Sequence, residues 1–284
     1  MKVKIGIMQG RLTPPIGGKI QAFPVHRWKE EFPTAHACGF EAIEWIFEDH
    51  DDENPIWTEE GLEEILEISQ KHQIEIPSLC ADYFMKHPFF RTSSREKIDA
   101  IHTLQRLMLQ CATLGIRRIL LPVLEEAEIE TESEQREFVT SLKECLPMAD
   151  EFKIELAVES NLEAERYRSL METLNHPFVK IYYDIGNRTA MGYSLEDEIR
   201  KLGQWISGAH VKDRKRSGPT VPLGTGDVNF RSCFQALHDV GFRGPYILQA
   251  ARQGDPVEDA RRYLEFVRRI LPREKSYREF PECV

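Results

Sequence analysis

Three residues of types that bind divalent metal ions each fall at the end of a short apolar run: Glu159 in AVESN, Asp184 in YYDIGN and His210 in GAHVKD. Two carboxylates and one imidazole suit a hard or borderline cation such as Mn²⁺, Mg²⁺, Co²⁺ or Zn²⁺. If the three runs are consecutive parallel strands, about 4.8 Å apart, side chains at matching heights converge on one ion. Gln249, in YILQAAR, could add a fourth ligand through its amide oxygen. Other runs end in Gln9 and Arg11, in Glu44, and in Cys80 and Asp82, while Asn187, Lys212 and Arg252 follow later ones. Any one of these could be an ordinary polar group at a strand end. Three ligand types on three successive ends favour a shared site.

The elements that would hold these residues follow from the apolar pattern. Eight runs read as buried strands: 4–11, 40–47, 74–82, 117–124, 154–160, 179–185, 206–212 and 245–251. Several, such as RRILLPVL and IELAV, are almost continuously apolar, as parallel strands covered on both faces are. Amphipathic helices lie between them. Thr58 is a candidate N-cap, Ser93 and Glu96 have capping-box spacing, Gly115 is placed as a helix-ending glycine, and Asp255-Pro256 opens the last helix. Pro147 is expected to kink its helix. Strand–helix alternation repeated eight times predicts an α/β fold, a single (β/α)₈ TIM barrel over residues 1–272 with a C-terminal tail at 273–284. An open doubly wound sheet would want a glycine-rich turn after the first strand, and MQGRLTPP does not supply one.

Composition narrows the function. The 284 residues carry a formal net charge of −10, which argues against nucleic acid as the main partner. No segment approaches the roughly 18 apolar residues of a membrane span, and the N-terminus lacks a signal-peptide pattern. The six cysteines show no C-x-x-C pairing or zinc-site spacing, consistent with a reducing compartment. A cytoplasmic protein is expected, with a small carbohydrate as its partner and a homo-oligomer as an open option.

The motifs AVESN, YYDIGN and GAHVKD, with the opening GIMQGRL and the second-strand IEW, resemble the xylose isomerase-like barrels of the sugar-phosphate isomerase/epimerase superfamily. The resemblance runs from Lys4 to about Leu271. It implies one divalent ion, Mn²⁺ foremost, held by Glu159, Asp184 and His210 with a further ligand from the eighth strand. It does not fix the reaction, because such folds host several chemistries.

The leading expectation is an isomerase or epimerase that works on a ketose or ketose phosphate through an enediolate. Glu159 would be the catalytic base as well as a ligand. Arg11, Glu44, Asn187, Lys212 and Arg252 would contact substrate. The resemblance also implies a carboxylate where this chain has Gln249. An amide cannot exchange protons near neutral pH, so a second acid/base would have to be Glu44, Asp82 or Lys212, or the reaction would need only one base. A polyol dehydratase and a catalytically silent sugar-binding barrel are the alternatives. Gly224 and Gly226, in the loop after the seventh strand, fit either a phosphate site or tight turns.

Overall fold

The computed structural model describes residues 3–48 and 53–272. The eight expected strands are present as Ile5–Met8, Ala42–Phe47, Leu79–Ala81, Arg118–Val123, Glu155–Ser160, Val179–Asp184, Ile206–Val211 and Tyr246–Leu248. They form a closed barrel in the order first, eighth, seventh, sixth, fifth, fourth, third, second. The first strand closes the ring, pairing Ile7 with Leu248 on one side and with Ile43 on the other. This is a single (β/α)₈ TIM barrel. The expected tail at 273–284 lies outside the described residues.

The strands lack simple alternation because both of their faces are covered. Every residue of Ala42–Phe47 and of Ile206–Val211 is buried, one face inside the barrel and the other under helices. Helix ends agree with the sequence signals. Thr58 accepts a hydrogen bond from the Gly61 amide, Ser93 and Glu96 form a reciprocal capping box, and Asp255 caps Val257 and Glu258. Each such cap contributes about 1 kcal/mol. A second capping box, Thr131 with Glu134, opens the helix Glu132–Phe152. That helix runs as one element with Pro147 inside it. Among the described residues no helix is long and apolar enough to cross a membrane.

Strand register decides which side chains face inward. Asp184 lies beside His210, and His210 beside Ile247. Val158 lies beside Ile181, so Glu159 and Tyr182 share the inward face. Two-residue periodicity then carries Asp184 and Gln249 inward as well. Room for this polar layer depends on Gly208. A Cβ there would sit 2.5 Å from the Tyr182 ring, and that ring packs 4.6 Å, centroid to centroid, from His210.

Candidate active site

At the C-terminal end of the barrel, Glu159, Asp184 and His210 each offer a ligand atom, all within 4.8 Å of one another. His210 Nδ1 is 3.8 Å from both Glu159 Oε2 and Asp184 Oδ2. Burial disfavours an imidazolium, but the Glu44, Asp184 and Glu159 carboxylates outweigh it and hold His210 up to about 10. Burial raises the Asp184 carboxyl as well, yet Lys212 and His210 more than offset this and keep it ionised. Glu159 moves the other way: burial and the neighbouring Asp184 charge push it above the usual carboxylate range.

Unpartnered atoms in this donor set bear on its fit to a cation. His210 Nδ1, Asp184 Oδ2 and Gln249 Oε1 are buried without a hydrogen bond, although buried polar atoms are normally paired. Asp184 Oδ2 meets its nearest charge in Lys212 Nζ, 2.6 Å away. The Asp184 oxygen, the imidazole nitrogen and the amide oxygen left unpartnered, with the Glu159 carboxylate beside them, fit a divalent ion. Binding would displace the proton on His210 Nδ1, as metal ligation by histidine requires.

Glu44 does not take the substrate-contacting place expected of it. It lies fully buried behind His210 and does not line the cavity. Its Oε1 is 2.6 Å from His210 Nε2, and its Oε2 accepts hydrogen bonds from Ser78 and Tyr182. Burial raises its carboxyl, but His210 and these donors reverse the effect and hold it below its ordinary value. A carboxylate on the far nitrogen fixes the imidazole tautomer and turns Nδ1 toward the ligand cluster. Ser78 and Tyr182 escaped the sequence reading, although two-residue spacing from Cys80 and Asp184 puts both on inward faces. Glu44→Gln should weaken divalent-ion binding about 10–100-fold with the barrel intact. Calorimetric titration with Mn²⁺ measures this, and an unchanged affinity would contradict the orienting role.

A cavity of about 480 Å³ opens above the cluster, lined by Glu159, Asn187, Lys212, Gln249 and Arg11 among others. Asn187 Nδ2 donates to Glu159 Oε1 at 3.0 Å, and Arg214 in turn donates to Asn187 Oδ1 at 2.9 Å. Asp184 Oδ1 accepts from the Asn187 backbone amide at 2.7 Å, so one residue of the short helix Ile185–Ala190 anchors both carboxylates. Arg252 is the second displaced expectation. Its guanidinium is used on the carbonyls of Gly10, Thr13, Lys19 and Ile20, strapping the loop after the first strand, and it does not line the cavity. Arg11 lines the cavity but also binds that loop, through Ile20 O and Gln21 Oε1. Glu31 completes the brace by accepting from the amides of Gly10 and Leu12.

Gln249 is oriented by Gln21, a residue for which the sequence offers no periodic signal because it lies in this strapped loop. Gln249 Nε2 donates to Gln21 Oε1 at 2.8 Å, leaving Gln249 Oε1 as the buried open acceptor. Gln21 Nε2 donates onward to Asp82 Oδ2 at 2.6 Å. Gln249→Glu adds a negative charge beside the cluster, and should tighten Mn²⁺ binding by about tenfold or more. Equal affinity of the two proteins for Mn²⁺ would show that residue 249 does not face the ion.

The glycine pair of PLGTGDVNF serves the turn. Asp213, fully buried, accepts from the amides of Gly224, Gly226 and Val228. A Cβ on Gly226 would collide with its carboxylate at 1.9 Å.

The family model for the xylose isomerase-like TIM barrel matches residues 32–270. The chain belongs to that family. It is 27% identical over 249 residues to L-ribulose-5-phosphate 3-epimerase UlaE of Escherichia coli O1:K1 / APEC, covering 83% of this chain and 86% of that protein. The isomerase class expected from the sequence rests on this family match and this relative. Solved structures share the fold. An L-ribulose 3-epimerase superposes with a TM-score of 0.78 at 15% identity, covering 95% of each chain. D-psicose 3-epimerase of Clostridium cellulolyticum H10, solved with D-tagatose, gives 0.76 at 16% identity, covering 95% of this chain and 99% of that one. The IolI protein, solved with a zinc atom, gives 0.75 at 19% identity with the same coverage.

Proposed function

We propose that the protein is a divalent-metal-dependent isomerase of the epimerase kind, acting on a ketose or ketose phosphate through an enediolate. The observation that carries this reading is the buried Glu159–Asp184–His210 cluster, whose open ligand atoms lie beneath a cavity that Glu159 also lines. One divalent ion, Mn²⁺ foremost and Mg²⁺, Co²⁺ or Zn²⁺ otherwise, would be held by Glu159, Asp184, His210 and Gln249. When bound, such an ion would polarise the carbonyl and adjacent hydroxyl of a hydroxy ketone and so acidify the C–H of the hydroxyl-bearing carbon.

The protein's own groups supply the rest. Glu159 accepts the carbon-bound proton, with its carboxylate aimed by the Asn187 amide. Its raised pKa suits a base working near neutrality. Lys212, over Asp184 at the cavity wall, offers an ammonium to negative charge growing on a substrate oxygen. Asn187 and Arg11 would give the sugar hydroxyls polar contacts. The Glu44–His210 pair and the strapped first loop hold this frame still, so little reorganisation accompanies proton transfer.

The E. coli relative acts on a phosphorylated ketose and the D-psicose 3-epimerase was solved with a free one, so both classes enter the test. The protein is incubated with Mn²⁺ and either L-ribulose 5-phosphate or D-psicose in D₂O. Deuterium at the carbon beside the carbonyl, with the epimer as product and no loss of water, is the expected result. Release of water would instead identify a dehydratase, and binding without label a silent barrel. The five described cysteines are free thiols, in keeping with a cytoplasmic enzyme.

A further inference from the structure

Inverting a carbon needs a proton donor on the face opposite the base, and Gln249 cannot be that donor. Of the three groups that could replace it, two have other work. Glu44 is sealed behind His210 with three hydrogen-bond partners, and Lys212 is the ion-pair partner of Asp184. The other carboxyl and thiol groups around the cavity fit less well. Burial and the neighbouring carboxylates push the Cys80 thiol well above its ordinary value. Glu125 and Glu126 are exposed on the turn after the fourth strand, and Glu48 accepts the Phe23 amide at 2.8 Å.

Asp82 remains. It follows the third strand, on the inward face shared with Ser78 and Cys80, and lines the same cavity as Glu159. Its two oxygens are fixed by different donors, Gln21 Nε2 at 2.6 Å and Cys80 Sγ at 3.2 Å. The Gln21 amide cannot turn over without loss, because its oxygen already accepts from Gln249 and Arg11. The two carboxyls, on the fifth strand and just after the third, are therefore held by different segments of the chain. Glu159 is held by Asn187 of the short helix after the sixth strand, and Asp82 by Gln21 of the loop after the first. Enclosure pushes the Asp82 carboxyl up to about 6, against the hydrogen bonds from Gln21 and Cys80.

We infer that Asp82 is the second proton-transferring residue, taking the place that an eighth-strand carboxylate would hold, and that the Gln249–Gln21 pair positions it. This rests on the isomerase reading above. In the forward direction Glu159 takes the proton from the carbon beside the carbonyl, and the C–H electron pair moves into the C=C bond of the enediolate. The carbonyl then re-forms while the same carbon takes a proton from the Asp82 carboxylic acid on its other face. Glu159 ends protonated and Asp82 ionised, and exchange with water resets both. In reverse, Asp82 is the base and Glu159 the acid.

The test uses Asp82→Asn, which keeps the volume and one oxygen for either Gln21 or Cys80 but removes the acid. Mn²⁺-loaded wild type and variant are each given L-ribulose 5-phosphate, then separately its 3-epimer, in D₂O. The free ketose pair is used if only D-psicose is a substrate. Wild type should label and interconvert both epimers. In the variant, interconversion should fall about 10²–10⁴-fold. One epimer, the one Glu159 deprotonates, should still take up deuterium within about tenfold of the wild-type rate, and the other should not. Asp82→Glu should recover part of the interconversion. A structural role would depress both epimers alike, so symmetric loss of labelling at normal metal content overturns the assignment. Interconversion at the wild-type rate in Asp82→Asn overturns it too. If wild type itself labels neither epimer, the isomerase reading fails and the role of Asp82 with it.

Discussion

Glu159→Gln should leave a folded barrel that still takes up Mn²⁺ and turns over about 10²–10⁴-fold more slowly. Glutamine keeps the length and one oxygen, so the Asn187 contact to Oε1 can persist. What disappears is the lone pair able to take a proton from carbon. The amide also places either its oxygen toward Asn187 or its oxygen toward the ligand cluster, not both, so metal binding should weaken while remaining measurable. Deuterium wash-in from D₂O is the informative assay, because it reports proton removal even when the net reaction is slow. If the variant exchanges substrate protons at the wild-type rate, the base lies elsewhere in the cavity.

Removal of Asp184 or His210 should have a still larger effect. His210→Ala and Asp184→Asn should each lose stoichiometric Mn²⁺ and, with it, activity down to background. The two differ in their structural cost. His210→Ala strips the charged partner from Glu44, which is 0% exposed. Leaving a buried charge uncompensated costs roughly 3–5 kcal/mol. Asp184→Asn keeps the volume and an oxygen for the Asn187 amide, so its barrel should melt closer to wild type. Metal analysis after gel filtration, beside thermal unfolding, separates loss of the ion from loss of the fold. Full metal content in both folded variants would remove Asp184 and His210 from the site.

The barrel was legible in the sequence because parallel strands covered on both faces leave continuous apolar runs, and because each carries a polar residue where it leaves the core. That logic brought out Glu159, Asp184 and His210 together. It failed for Glu44, since a strand position reveals the inward direction but not the depth. Glu44 stands beside Met8 in register, low enough to meet the far nitrogen of His210 instead of a substrate. Arg252 was misplaced for a different reason. A charged group just past a strand end can turn inward or bind a neighbouring loop, and four carbonyls of the first loop draw it aside. Gln21 left no trace at all, because its importance depends on that loop folding back over the eighth strand. Alternation along YYD and along SLCAD contained enough to find Tyr182 and Ser78, had inward parity been followed below the strand ends.

The proposed site predicts a requirement for one divalent ion, held in the Glu159–Asp184–His210 cluster, in proton exchange at a ketose carbon. Its most direct measurement is a titration of chelator-stripped protein with Mn²⁺, following deuterium incorporation into L-ribulose 5-phosphate or D-psicose by NMR in D₂O. Exchange should be absent without the ion, rise linearly, and saturate at one equivalent per chain. Exchange at full rate in the stripped protein, or saturation that ignores stoichiometry and survives His210→Ala, would contradict the account.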